Sequence, residues 1–124
     1  MGNLEGAIKL MWGICFDTIE CEGELFPSRL FQSVIEYELV KNGTMANIIY
    51  PKKGASIAVN KIRVLDNPPQ FLVGELVSPA NHPDQVGVIR EIGWHFKNEK
   101  YMYFISINNK KKSKIYYCND LIRR

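Results

Sequence analysis

The sequence predicts an α+β fold that is mainly β, with a small closed barrel in its last third preceded by a strand–helix–strand element. Three observations carry this expectation. Four short β-type runs, separated by turn-rich joints, fill residues 71–122. Residues 28–41 carry apolar side chains at helical spacing between strand-like neighbours. Asp66-Asn67-Pro68-Pro69 is a stiff, extended break, which divides an N-terminal β/α element (1–66) from the barrel (67–124).

The elements follow in order. Residues 7–18 alternate, with Ile8, Leu10, Trp12, Ile14 and Phe16 on one face and Lys9, Gly13, Cys15 and Asp17 on the other, so a half-buried strand is expected. Glu20-Cys21-Glu22-Gly23-Glu24 is an acidic turn. Leu30, Phe31, Val34, Ile35 and Leu39 fit a helix that Pro27 or Ser28 would start and Asn42-Gly43 would end. Phe31, Ile35, Tyr37 and Leu39 fit a strand as well; the helix is the preferred reading. Residues 45–50 read as a strand stopped by Pro51, and 57–65 as one further strand.

In the last third, Phe71, Val73 and Val77 alternate with Leu72, Gly74 and Ser78, and Pro79 and Pro83 then break the run because proline cannot donate to a ladder. Val86, Val88, Ile92, Trp94 and Phe96 share one face of the second run; Gly87 and Gly93 lie opposite, where a bulge would need them. Residues 101–107 are apolar on both faces, as a central strand requires. Asn108-Asn109 tolerates positive φ and predicts a tight hairpin. Residues 114–118 form a short fourth strand, and Asp120-Leu121-Ile122 closes the barrel.

Composition sets the bounds. The chain has 124 residues, 46% hydrophobic and 23% charged, which suits one small globular domain or a domain with an extension. No apolar run approaches the roughly 20 residues that span a bilayer. Glu5 and Lys9 spoil any signal-peptide pattern. Cys15, Cys21 and Cys118 are odd in number and lack C-x-x-C spacing, which points to a reduced, cytoplasmic protein without a membrane role. Asn42-Gly43-Thr44 then reads as a plain turn rather than a glycan acceptor. Net charge is +3 but uneven: residues 1–40 hold seven acids and two bases, net −5, and residues 41–124 hold six acids and fourteen bases, net +8.

No Gly-rich phosphate loop, G-x-S-x-G or H-E-x-x-H occurs, and neither His82 nor His95 has a ligand at diagnostic spacing. The expectation is a protein that is not an enzyme and uses no cofactor or metal. Its binding candidates fall in three places. Asp17, Glu20, Glu22 and Glu24 form an acidic ridge; on a strand the three alternating glutamates would face one way and attract a basic partner. Trp94 and His95, beside Phe96 and Lys97, offer an aromatic contact unless the strand turns Trp94 and Phe96 inward. Lys110, Lys111, Lys112 and Lys114 beside Tyr116 and Tyr117 suit phosphates and stacked bases. The ordinary alternatives are solvated charge for the glutamates and edge protection for the lysines.

The order Val73-Gly74-Glu75, proline-rich loop, Gly87-Val88-Ile89, Tyr101-Met102-Tyr103, tight hairpin and Asp120-Leu121-Ile122 resembles an SH3-like barrel of the KOW and Tudor kind, over roughly residues 70–122. The stretches WHFKNEKYMYFI and NNKKKSKIYYCNDLI also resemble small immunity-type proteins of bacterial toxin systems. These resemblances imply a small bacterial immunity or inhibitor protein that occludes a protein partner such as a basic toxin domain. The alternatives they leave are a KOW- or Tudor-type nucleic-acid-binding module and a structural subunit of a larger assembly. The uneven charge would also allow head-to-tail homo-oligomers.

Overall fold

The computed structural model describes residues 9–21, 23–27 and 32–124. The protein is mainly β: among the described residues there are twelve strands and no α-helix. Two compact units divide the chain, Met1–Pro68 and Pro69–Arg124.

The first unit is built on a five-stranded antiparallel sheet. Its strands are β1 (Leu10–Cys15), β4 (Val34–Val40), β5 (Met45–Tyr50), β6 (Ser56–Ala58) and β7 (Ile62–Leu65), in the order β6-β5-β4-β1-β7. A separate hairpin, β2 (Ile19–Cys21) with β3 (Glu24–Phe26), joins β1 to β4. Ile35, Tyr37, Ala46, Ile48, Ile57 and Cys15 form the core, with Ile19 and Phe26 of the hairpin packed against it. Each fully buried isoleucine contributes about 1.5–3 kcal/mol relative to exposure.

The second unit repeats this plan. Its strands are β8 (Leu76–Pro79), β9 (Gly87–His95), β10 (Lys100–Ile107), β11 (Lys110–Lys111) and β12 (Leu121–Arg123), in the order β11-β10-β9-β8-β12. In both units the first strand is flanked by the second and the last, and a 3-10 turn precedes that last strand. Those turns are Val59–Lys61 and Cys118–Asp120. The equivalence is one of topology, with no matching repeat in the sequence.

Several expectations change. Residues 34–40, expected to be helical, form strand β4. At its start the sheet is buried on both faces, so Val34 and Ile35 are both fully buried, and an adjacent apolar pair mimics helical spacing. Asn42-Gly43 then lies in the hairpin turn to β5, where Lys41, Asn42 and Gly43 all have positive φ. Strand β1 is central rather than half-buried: Trp12 and Ile14 on one face and Cys15 on the other are all buried. Both β1 and β4 are inner strands of the sheet. The single strand expected at 57–65 is broken by the 3-10 turn, and its halves, β6 and β7, take opposite edges of the sheet.

In the second unit, residues 71–75 are turn rather than strand. Gly74 lies there at φ 94°. In β9 the register passes from Ile105↔Ile89 to Phe104↔Glu91, which leaves Arg90 as a bulge. The extra residue reverses which parity faces inward. Ile89, Ile92 and Trp94 are buried, while Val88 is turned out. The bulge falls at Arg90, not at a glycine. Residues 114–118 contribute one bridge, Tyr103↔Tyr116, instead of a strand. The predicted Asn108-Asn109 hairpin is present, with φ 53° and 63°.

Candidate protein-binding surfaces

The acidic ridge is reorganised by the reversal at Gly23, whose φ is 83°. Glu20 pairs with Leu25, and Cys21 with Glu24. Alternation therefore puts Glu20 and Leu25 on one face of the hairpin and Glu24 on the other. The glutamates do not form one row; Glu22 lies outside the described residues. Glu24 meets Lys52 at 3.4 Å, and Asp17 lies 4.0 Å from Lys61. These pairs are largely exposed and contribute little stability. Asp17 also ends β1: its side chain accepts the Thr18 N–H at 3.1 Å, and its carbonyl accepts the Cys15 thiol at 3.1 Å. Burial pushes the Cys15 thiol pKa up, so it stays protonated.

Charge is also spread more evenly in the fold than along the chain. Residues 1–68 hold eight acids and seven bases, net −1, and residues 69–124 hold five acids and nine bases, net +4. The bases Lys41, Lys52, Lys53, Lys61 and Arg63 share a unit with the acids of the front.

Phe16, expected on the buried face of the first strand, lies just past the end of β1, and it and Leu25 give this region exposed apolar surface. Phe16 is 60% exposed and Leu25 is 64% exposed, Phe16 preceding the exposed Asp17 and Leu25 opposite the exposed Glu20. The signal available was two large apolar residues flanking an acidic turn.

Trp94 is buried at 6% exposure, edge-on to Tyr101 with centroids 5.1 Å apart, so it offers a partner no surface. His95 is half-buried and accepts the Asn98 N–H on Nδ1 at 3.0 Å, which ties it to the β9–β10 turn. His82 sits exposed in the loop after β8. Among the described residues no group of three or more His, Cys, Asp or Glu could hold a metal ion. Among them, too, no helix is long and apolar enough to cross a membrane.

Lys110, Lys111, Lys112 and Lys114 are all exposed, the first two as edge strand β11. The aromatics beside them are not free to stack. Tyr116 is 7% exposed. Tyr117 is half-buried, with Lys100 Nζ 4.0 Å from its ring centroid. The lysines thus stand without the base-stacking platform expected of them.

Residues 41–122 match the profile of a family of unknown function, DUF6960. That stretch is more than half of the 124-residue chain. The chain belongs to DUF6960. The DUF6960 match runs from the β4–β5 turn into β12, so the acidic hairpin lies before it. No curated protein and no solved structure matches the chain.

Proposed function

We propose that this protein is a small, non-catalytic cytoplasmic binding protein of the bacterial immunity or inhibitor type, which occludes a basic protein partner such as a toxin domain. One observation carries the reading: Phe16 and Leu25 are exposed, Phe16 next to Asp17 in the sequence and Leu25 opposite Glu20 in the β2–β3 ladder. Apolar side chains excluded from water at the centre of an interface supply most of its energy, and rim charges steer encounter. Inhibition is then steric, with association slowed by added salt. Glu20→Lys with Leu25→Asp tests this: the complex should weaken while the melting curve stays unchanged. Unaltered affinity would remove the hairpin from the contact.

The return of β12 to β8 supports reading the second unit as the SH3-like small barrel that residues 70–122 resemble. Small barrels host many activities, so the topology does not choose among them.

The second reading is nucleic-acid binding by the β10–β11 hairpin, favoured by its four exposed lysines. With Tyr116 buried, such binding would rest on phosphates and show little base preference. Measuring the salt slope before and after lysine replacement tests it.

A further inference from the structure

A groove of about 660 Å³ lies on the first unit, lined by Leu10, Glu38, Asn47, Ile49, Lys53 and Ser56 among others. Four of these residues form one cross-strand row. Leu10 is opposite Glu38, Glu38 opposite Asn47, and Asn47 opposite Ser56. The row crosses four strands at about 4.8 Å each. Just beyond it the register steps from Tyr37↔Ile48 to Glu36↔Tyr50, leaving Ile49 as a bulge in the groove wall.

The hydrogen bonds along the row have a fixed direction. Ser56 Oγ donates to Asn47 Oδ1 at 2.6 Å, and Asn47 Nδ2 donates to Glu38 Oε1 at 3.4 Å. The reverse amide orientation would set Asn47 Oδ1 against the carboxylate. With its proton committed, Ser56 Oγ presents lone pairs only. Glu38 presents the remaining lone pairs of an ionised carboxylate. One Asn47 N–H is left as a donor. The row is thus an array of acceptors, and it is complemented by a group with several donors and positive charge. Leu10 is 48% exposed and lies one strand spacing from Glu38, which places apolar surface where an aliphatic stem would lie. Lys53 also lines the groove.

We infer that this groove binds a guanidinium or ammonium group carried on an aliphatic stem, with the head on Glu38 and Ser56 and the stem on Leu10. Such a group comes either from a free amine or from an arginine or lysine side chain of a protein. The β2–β3 hairpin packs on the core side of the sheet through Ile19 and Phe26. Glu38 and Asn47 face the other way, so the groove stands or falls independently of the proposed function.

The test is a ¹H–¹⁵N titration of the full chain with agmatine, with an acetylated and amidated Ala-Arg-Ala peptide, and with the same peptide carrying neutral citrulline. Saturable shifts are expected at the Asn47 side-chain amide and the Ser56 amide with the guanidinium probes, and at least tenfold weaker binding with citrulline. Glu38→Gln keeps the acceptor for Asn47 and should weaken both probes at least tenfold, with the rest of the spectrum unchanged. Ser56→Ala, at an exposed edge position, frees the Asn47 amide and should weaken them at least threefold. Tighter binding of agmatine assigns the site to a free cation, and tighter binding of the peptide assigns it to a protein side chain. Failure of both guanidinium probes to saturate, equal binding of citrulline, or indifference to Glu38→Gln would overturn the inference.

Discussion

Tyr103 and Tyr116 exchange both of their backbone hydrogen bonds, Tyr103 N–H to Tyr116 C=O at 2.7 Å and Tyr116 N–H to Tyr103 C=O at 3.0 Å. This pair pins the segment after the lysine hairpin onto the middle of β10. Tyr116 is thereby a core residue, and its ring is spent on stability rather than on recognition. Tyr116→Ala should cost about 3 kcal/mol in a denaturant titration, the scale of removing a buried aromatic ring. A loss below about 0.5 kcal/mol would mean that the ring is free in solution.

Gly13 sits in the centre of the first sheet, where a Cβ would lie 2.6 Å from Ile62 Cγ2 and 2.8 Å from the Arg63 carbonyl. The carbonyl belongs to the neighbouring strand and cannot move alone. Gly13→Ala should therefore destabilise the fold by about 1–3 kcal/mol, as overpacking does. Thermal melting of the single variant checks this.

Two carboxylates should affect stability with opposite signs as pH changes. Glu75 accepts a hydrogen bond from Arg123 at 2.8 Å, which lowers its pKa. Its contribution is present above the unfolded pKa and is lost as pH falls through the folded one. Glu75→Gln should cost up to about 1 kcal/mol at neutral pH and nothing in strong acid. Burial raises the pKa of Glu36. Its ionised form then costs stability above the folded pKa, and the cost disappears below the unfolded one. Glu36→Gln should raise the melting temperature at neutral pH, with the gain fading as pH falls through the raised pKa and gone by about pH 4. Melting curves of both variants from pH 3 to pH 8 would show the two trends crossing.

The exposed lysines should be dispensable for folding. Replacing Lys110, Lys111, Lys112 and Lys114 by alanine should change stability by no more than about 0.5 kcal/mol each. If the hairpin is an edge guard, the variant should aggregate more readily at high concentration. Light scattering against concentration measures this directly.

Much of the β architecture was legible in the sequence because turns carry their own chemistry. Asn108-Asn109 and Pro51 marked their boundaries correctly. Residues 34–40 were not legible, because burial on both faces at Val34 and Ile35 erased the alternation that marks a strand. The inward face of β9 was hidden by the Arg90 bulge, which shifts parity without a compositional sign. The site was harder still. Glu20 and Glu24 look like neighbours until the register puts Leu25 opposite Glu20. Likewise Glu38, Asn47 and Ser56 are one polar residue in each of three strands, and only pairing brings them into a row.

The most direct test of the proposed inhibitor role is capture from a lysate of the source cell, with and without nuclease treatment, with three baits. These are the wild type, Glu20→Lys with Leu25→Asp, and the fourfold lysine-to-alanine variant. One stoichiometric basic protein is expected on the wild type and on the lysine variant, and it should be absent from the hairpin variant. Partners that vanish with nuclease, and whose loss follows the lysines instead of the hairpin, would contradict the account and favour nucleic-acid binding.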